Sequence, residues 1–299
     1  MPRSVLRVGT RTSPLALTQA EVVRQLVSTV ITHRSFELVP LSTAGDRAEG
    51  SVADKREWVR ELQDALTGGK VDLIVHSAKD LPIEPVRGVV LASTPKREDP
   101  RDALLTRTGK GIEGLPVGAT IGTSSLRRTA QLRAMNRGFN PVELHGNIDT
   151  RIAAMTDARV DAVVLAVAGM KRLRKSLANA EILPINLMLP APGQGALAIE
   201  CRSTDRNMRA ALGQIEDEAT RKAVDAERAL VAALGGECGL PLGALGELRD
   251  DMIRLRGLVA SEDGMTILSE QVEHSDPEKA GIELAERLKD LGALKLLRA

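Results

Sequence analysis

The sequence predicts an α/β fold in which two α/β domains of similar topology precede a small α+β domain. Short apolar segments alternate with segments of helical periodicity, a pattern that favours a parallel sheet covered on both faces by helices. Two short segments recur, since residues 8–10 resemble 121–123 and residues 70–75 resemble 159–164. From about residue 217 the alternation stops. These observations indicate one repeated α/β architecture and a separate C-terminal domain.

The first repeat begins with a short apolar strand. Ser13 and Pro14 then supply an N-cap and a first-turn proline for a helix. Gly68 and Gly69 end a second helix. The predicted elements are strands at 5–9, 36–41 and 71–75 and helices at 14–31 and 57–67.

The second repeat follows the same order. A polar segment, Thr123 to Ser125, precedes a helix that Gly138 ends. The predicted elements are strands at 120–122, 142–144 and 160–166 and helices at 126–137 and 150–158.

Residues 95–100 and 189–195 contain the prolines and glycines of connecting segments. A strand at 196–201 suggests that the chain returns to the first domain before leaving it. The C-terminal pattern predicts a helix at 217–234, strands at 252–260 and 265–272, and a helix from 277. The expected domains are 1–95 with 196–213, 100–190, and 217–299.

The composition limits the classes of partner. Hydrophobic residues make up 43% of the 299 residues and charged residues 27%, which is typical of a folded globular protein. The net charge of +1 and the absence of Tyr, beside two Phe and one Trp, argue against nucleic-acid binding. The 41 basic residues include 30 Arg, the residue that binds carboxylate and phosphate through a planar fork, although a GC-rich genome would also enrich arginine.

No signal-peptide pattern or membrane-spanning apolar run is present, and we expect a cytoplasmic protein without a membrane partner. Cys201 and Cys238 would then stay unpaired. The four histidines share no ligand spacing with the cysteines, so we expect no metal.

Two predicted helix starts, residues 10–13 and 123–125, are candidate anion sites because helix N-termini carry partial positive charge and unpaired N–H groups. Arg11 lies in the first loop, Arg127 and Arg128 follow the second, and Arg151 begins a further helix. Each arginine could also be an ordinary surface residue. Their recurrence predicts a ligand with several carboxylates or phosphates in the cleft between the two domains, without a Walker-type loop.

Asp80 follows the strand at 71–75, where catalytic groups of α/β proteins usually lie. An ionised carboxylate there can stabilise a developing cation, whereas a turn or cap role is the simpler alternative. Cys238 lies among glycines, where it is either an accessible thiol or a small apolar filler. We expect Cys201 to be a buried strand residue.

Eight motifs occur in one order and identify a resemblance to the porphobilinogen deaminase family over about residues 5–290. The motifs are residues 11–17, 76–80, 97–102, 122–128, 146–151, 166–173, 193–196 and the loop around Cys238. The resemblance implies two periplasmic-binding-protein-like α/β domains plus a small α+β C-terminal domain. It also implies a monomer.

The resemblance implies a transferase of heme and other tetrapyrrole biosynthesis. Such an enzyme joins four porphobilinogen molecules head to tail, with loss of ammonia, on a dipyrromethane cofactor in thioether linkage to Cys238. It then releases hydroxymethylbilane by hydrolysis. A noncatalytic bilobal anion-binding protein is the alternative.

The resemblance also implies roles for individual residues. Asp80 would be catalytic and would contact the cofactor. The other cofactor-binding residues would be Lys79, Ser125, Arg127 and Arg128. The substrate-binding residues would be Arg11, Ser13, Lys55, Thr123, Ser124, Arg151 and Arg172.

Three positions depart from the family pattern. The loop after Asp46 is shorter than usual, although Lys55 and Trp58 align with a lysine and a phenylalanine of the family. His145 replaces an arginine, which would make one cationic contact pH-dependent. Glu237 replaces a glycine beside Cys238.

Overall fold

The computed structural model describes residues 5–42, 55–236 and 240–297, with the backbone alone at 55 and 56. The chain forms two compact units, Met1–Arg97 with Ala196–Arg221, and Glu98–Gly195 with Lys222–Ala299.

The described strands and helices are these, in chain order. The strands are β1 (Val5–Arg11), β2 (Ser35–Leu41), β3 (Leu73–Ser77), β4 (Val89–Ser93), β5 (Asp102–Thr106), β6 (Thr120–Gly122), β7 (Asn140–Val142), β8 (Ala162–Ala166), β9 (Ala180–Ile182), β10 (Leu197–Arg202), β11 (Leu242–Arg249), β12 (Met252–Ala260) and β13 (Ile267–His274). The helices are α1 (Pro14–Val30), α2 (Lys55–Thr67), α3 (Leu126–Ala134), α4 (Ile148–Thr156), α5 (Val167–Arg172), α6 (Arg206–Gly213), α7 (Glu218–Ala233), α8 (Pro277–Asp290) and α9 (Ala293–Leu297), with short 3-10 helices at Ala78–Asp80 and Ile112–Gly114.

The first unit contains a five-stranded sheet in the order β2-β1-β3-β10-β4. Strands β2, β1 and β3 are parallel, whereas β10 is antiparallel to both β3 and β4. Leu6 and Val8 of β1 are fully buried beside Val23 and Val27 of α1, because the apolar face of the helix covers the sheet.

The second unit contains a sheet in the order β7-β6-β8-β5-β9. Strands β7, β6 and β8 are parallel, and β5 is antiparallel to β8 and β9. The two sheets therefore share one topology, in which β6 corresponds to β1 and β5 corresponds to β10. The loop between β1 and α1 and the loop between β6 and α3 are equivalent positions.

The predicted parallel sheet is wrong at the fourth strand of each sheet, which is antiparallel to its neighbours. Strands β5 and β10 each enter shortly after the chain passes from the other unit. Neither arrives through a helical crossover, which is the connection that makes strands parallel. The sequence prediction also missed β4, β5, β9 and β11.

The C-terminal part of the second unit is an antiparallel sheet, β11-β12-β13. Helices α7 and α8 supply Leu230 and Leu284, both fully buried, to one apolar cluster with this sheet. The predicted fold class is thus confirmed as α/β sheets with a small α+β region at the C-terminus. The helix predicted at 126–137 ends at Ala134, since Asn136 adopts a φ of 53° that is left-handed and incompatible with helix.

None of the described helices has the length and apolarity required to span a bilayer.

Candidate active site

The first candidate site lies where β1 ends and α1 begins. Arg11 is the last residue of β1, and Ser13 is the N-cap of α1. The Ser13 side chain accepts a hydrogen bond from the Ala16 N–H at 3.3 Å. A guanidinium group and a helix N-terminus therefore share one edge of the sheet, as expected for an anion-binding loop.

A pocket within the first unit extends from this loop to the end of β3. Its lining includes Arg11, Ser13, Gln19 and Asp80. Gln19 donates a hydrogen bond from Nε2 to Ser77 Oγ at 2.8 Å. The 3-10 helix that follows Ser77 carries both Lys79 and Asp80, which are half-buried. The structure thus places Arg11, Ser13 and Asp80 around one pocket.

A buried polar network that the sequence prediction missed adjoins this pocket, because its member His76 is one of the lining residues. His76 Nε2 is 3.1 Å from Glu200 Oε2, and Gln63 Nε2 donates to both carboxylate oxygens of Glu200 at 3.1 Å. All three residues are nearly inaccessible to solvent. Glu200 is an isolated acidic residue in the otherwise apolar segment of β10. That position could have indicated a buried polar network from the sequence.

The second candidate site follows β6. Thr123 is buried, and its Oγ1 accepts a hydrogen bond from the Ser125 N–H at 3.2 Å. Ser125 is the N-cap of α3 and accepts from the Arg128 N–H at 3.4 Å. Ser124 is exposed at the tip of the loop. The predicted polar helix start is therefore present with Thr123, Ser124 and Ser125 in successive positions.

Arg127 and Arg128 are buried and share one carboxylate. The side chain of Asp102 is fully buried, and its two oxygens accept from Arg127 Nη2 and Arg128 Nη2 at 2.7 Å each. Burial opposes ionisation of Asp102, but the two guanidinium groups outweigh it and keep the pKa of Asp102 well below the ordinary aspartate value. Gln194 Nε2 donates to the same carboxylate at 2.9 Å.

The sequence prediction missed Asp102 as the partner of this arginine pair, although an aspartate that opens a buried strand was a visible signal. Arg127 Nη1 also donates to the Leu189 carbonyl at 2.6 Å, and Arg128 Nη1 to the Val164 carbonyl at 2.9 Å. Within the described residues, the buried Nε groups of both arginines have no hydrogen-bond partner. Direct cofactor binding by this pair stays a prediction.

Arg151 lies in the first turn of α4, whose N-cap is Asn147. Its Nε donates to the Gly146 carbonyl at 2.9 Å and its Nη2 to Ser124 Oγ at 3.1 Å. Burial, with a smaller contribution from the like charge of Arg128, lowers the pKa of Arg151 to about 10. The guanidinium is thus in an environment where an added carboxylate would stabilise its charge.

Arg172 has a similar environment at the end of α5. Its Nη2 donates to the Gly195 carbonyl at 2.7 Å. Burial lowers the pKa of Arg172 to about 10, and the opposing effect of Glu98 is smaller. The neighbouring Lys171 pairs with Glu98 at 2.8 Å. Arg172 is therefore a second desolvated cation suited to a carboxylate ligand.

The other predicted residues make none of the contacts given above or lie outside the residues that the structure describes. Cys238 and Glu237 lie outside the described residues, as does the loop after Asp46. The backbone of Lys55 begins α2, but its side chain is not among the described ones. His145 is exposed, and its Nε2 is 2.8 Å from Glu143 Oε1. No group of three or more His, Cys, Asp or Glu with metal-binding geometry occurs in the described ranges.

The chain matches two sequence-family models along most of its length. The model described as "Porphobilinogen deaminase, dipyromethane cofactor binding domain" covers residues 6–210. The model described as "Porphobilinogen deaminase, C-terminal domain" covers residues 221–290.

The chain is also similar to curated proteins and to solved structures. The porphobilinogen deaminase of Nocardia farcinica is 46% identical over 306 residues, which cover 98% of this chain and 88% of the relative. That of Roseiflexus sp. is 40% identical over 300 residues, which cover 99% of each chain. Among solved structures, the methionine-binding protein MetQ aligns with a TM-score of 0.47 and 14% identity, over 71% of this chain and 89% of that one.

The fold and the buried guanidinium groups define an α/β protein suited to a ligand with several carboxylates. The chain belongs to the porphobilinogen deaminase family. It is a transferase, and residues 6–210 form the dipyrromethane-binding domain of that family.

The residues of the second unit fit such a cofactor. Each pyrrole ring of dipyrromethane carries an acetate and a propionate. Arg151 and Arg172 are half-buried cations whose pKa is lowered by burial, and the buried Nε–H groups of Arg127 and Arg128 have no hydrogen-bond partner among the described residues. These are the donors that carboxylate groups require.

Proposed function

We propose that this chain is a porphobilinogen deaminase that converts four porphobilinogen molecules and one water into hydroxymethylbilane and four ammonia molecules. Membership of the family supports the proposal most strongly. The desolvated Arg151 and Arg172 support it independently, because the substrate and the product are polycarboxylates. The comparisons favour this enzyme over a noncatalytic anion-binding protein.

Dipyrromethane, when bound through a thioether to Cys238, supplies the pyrrole carbon to which the first substrate is joined. The residues that would hold its carboxylates are Lys79, Ser125, Arg127 and Arg128. Ser125 already caps α3, so its backbone N–H and hydroxyl lie at a helix N-terminus that favours negative charge.

Asp80 is proposed as the catalytic residue. Loss of ammonia leaves the methylene group of porphobilinogen positively charged, and a carboxylate beside the pyrrole N–H stabilises that charge. Asp80 can also accept and return a proton at its carboxylate during ring coupling. Its place in a pocket with Arg11 and Ser13 supports this role.

The remaining predicted side chains would bind substrate carboxylates. Arg11 and Ser13 belong to the first loop and Thr123 and Ser124 to the second, while Arg151 of α4 donates to Ser124 Oγ. Arg172 and Lys55 would complete the set. Each charge-assisted hydrogen bond stabilises binding by about 1.5–3 kcal/mol, so loss of one should weaken binding without abolishing turnover.

We further propose three domains, with 100–190 and 217–299 as separate parts of the second unit. Each has its own sheet and its own apolar cluster, which supports this division. We also propose a cytoplasmic monomer, since a reducing compartment keeps the Cys238 thiol available for the thioether. Light scattering of the purified protein would test the monomer, and limited proteolysis the domain boundaries.

The intact mass of the purified protein tests the tether directly. We expect a mass above that of the polypeptide by two pyrrole units, and we expect Cys238→Ser to remove the excess and the activity. Cys201→Ser is the matched control, because Cys201 is fully buried in β10 and should leave the added mass in place. A fully active protein with the mass of the bare polypeptide would refute the tether.

A further inference from the structure

The guanidinium of Arg11 lies over the ring of Trp58. The Arg11 Cζ atom is 4.0 Å from the centroid of that ring. This distance is well within the range of a cation–π interaction, for which tryptophan is the strongest partner among the aromatic residues. Trp58 belongs to α2 and Arg11 ends β1, so the contact joins two elements of the same unit.

The orientation of Trp58 is not explained by its own hydrogen bonding. Its Nε1 is buried and has no hydrogen-bond partner in the part of the chain that the structure describes. A buried indole N–H is usually paired. The face of the ring is instead in contact with the guanidinium of Arg11.

Fixing the guanidinium has a consequence for ligand binding. Arginine has high rotamer entropy, and part of it is lost when the side chain is immobilised by a carboxylate. An aromatic face that already restricts the guanidinium reduces that loss. Arg11 lines the same pocket as Asp80, so the orientation of its charge matters at the site of the chemistry.

We propose that Trp58 is a positioning residue that orients Arg11 toward a substrate carboxylate through the face of its indole ring. The carboxylate is that of porphobilinogen, and to this extent the inference rests on the proposed function. Trp58 acts through Arg11 and takes no part in the reaction itself.

A double-mutant cycle on the holoenzyme tests the kinetic consequence. Trp58→Leu should raise KM by about threefold to thirtyfold with little change in kcat, the range expected for a cation–π contact that is partly desolvated. Trp58→Phe keeps an aromatic face and should restore most of the affinity. Phe36→Leu, which removes a half-buried aromatic ring of the same unit, should leave KM unchanged.

The decisive arm is Trp58→Leu in an Arg11→Met background. It should have no further effect on KM, because the group that it positions is absent. An equal rise of KM with and without Arg11 would overturn the proposal.

Fluorescence tests the contact without using activity. Trp58 is the single tryptophan of a chain that has no tyrosine, so its emission is read directly. Arg11→Met should change the emission intensity or maximum of the holoenzyme, and unchanged emission would overturn the proposal. Wild-type protein that does not turn over porphobilinogen would instead refute the proposed function, while this measurement would still decide whether the contact forms.

Discussion

The loop between β1 and α1 and the loop between β6 and α3 occupy the same position in two sheets of one topology. In both, a serine caps the helix, Ser13 in the first and Ser125 in the second. They differ in how arginine is held. Arg11 lies against an aromatic face, whereas Arg127 and Arg128 share the buried carboxylate of Asp102.

This difference shows that topology places the loop while distant residues determine its electrostatics. The first loop adjoins the pocket that Asp80 lines, and we propose that this carboxylate is catalytic. The second adjoins arginines whose pKa is lowered by burial, which suits the binding of carboxylates. We therefore expect loss of Asp80 to affect kcat, and changes among the arginines of the second unit to affect KM or stability.

Asp80→Ala should have the largest effect on turnover. It therefore tests the comparison between the two sites most strongly. Removing the carboxylate that we propose stabilises charge and transfers protons should lower kcat by about 100-fold to 10,000-fold. Steady-state turnover of porphobilinogen gives kcat, and circular dichroism checks that the fold is retained.

Glu84→Ala removes an exposed carboxylate four positions further along the chain and should leave kcat unchanged. Near-normal turnover by Asp80→Ala would remove the catalytic distinction between the two loops.

Asp102→Ala should mainly change stability. It leaves two buried guanidinium groups without their carboxylate, and breaking a buried ion pair lowers the free energy of unfolding by about 3–5 kcal/mol. Because the pKa of Asp102 is lowered in the folded protein, its stabilising contribution is present above the ordinary aspartate pKa and is lost as pH falls through the folded value.

Urea denaturation at neutral pH and in acid would measure both effects. Glu113→Ala breaks the exposed pair with Arg137 and should leave the urea midpoint almost unchanged. Equal destabilisation by the two variants would contradict the structural role assigned to Asp102.

The local parts of this architecture could be predicted from the sequence. An apolar strand, a capping serine and a proline predicted the start of α1, and the strand before Asp80 predicted where that carboxylate lies. Each of these features depends on residues that are close in sequence. The ends of helices were predicted less accurately, because hydrophobic periodicity does not specify the left-handed conformation of Asn136.

The contacts that tune the two loops could not be predicted in this way. Asp102 and Arg128 are 26 positions apart, and His76 and Glu200 are 124 positions apart. Such pairs form only because an antiparallel fourth strand enters each sheet from the other unit. The sequence pattern predicted a parallel sheet and therefore placed neither acid beside its partner.

Arg151→Met and Arg172→Met should separate binding from chemistry. Loss of one charge-assisted hydrogen bond should raise KM by about tenfold to a hundredfold with a smaller change in kcat. Arg137→Met, which removes an exposed arginine paired with Glu113, is the matched control and should keep KM constant. A fall in kcat at constant KM would place these arginines with the chemical step and remove the proposed division between Asp80 and the arginines of the second unit.

His145→Arg should have the smallest effect, at the edge of the second site. Histidine loses its charge within the physiological pH range, whereas arginine keeps it, and Glu143 lies 2.8 Å from His145 Nε2 and competes for the positive charge. We expect KM to fall by about twofold to fivefold, the range of an exposed ion pair, and to vary less between pH 6 and 8. His33→Arg, an exposed substitution in the first unit, should leave KM and its pH profile unchanged. Identical KM profiles for His145→Arg and the wild type would mean that position 145 does not contact carboxylates and that the binding surface ends at Arg151.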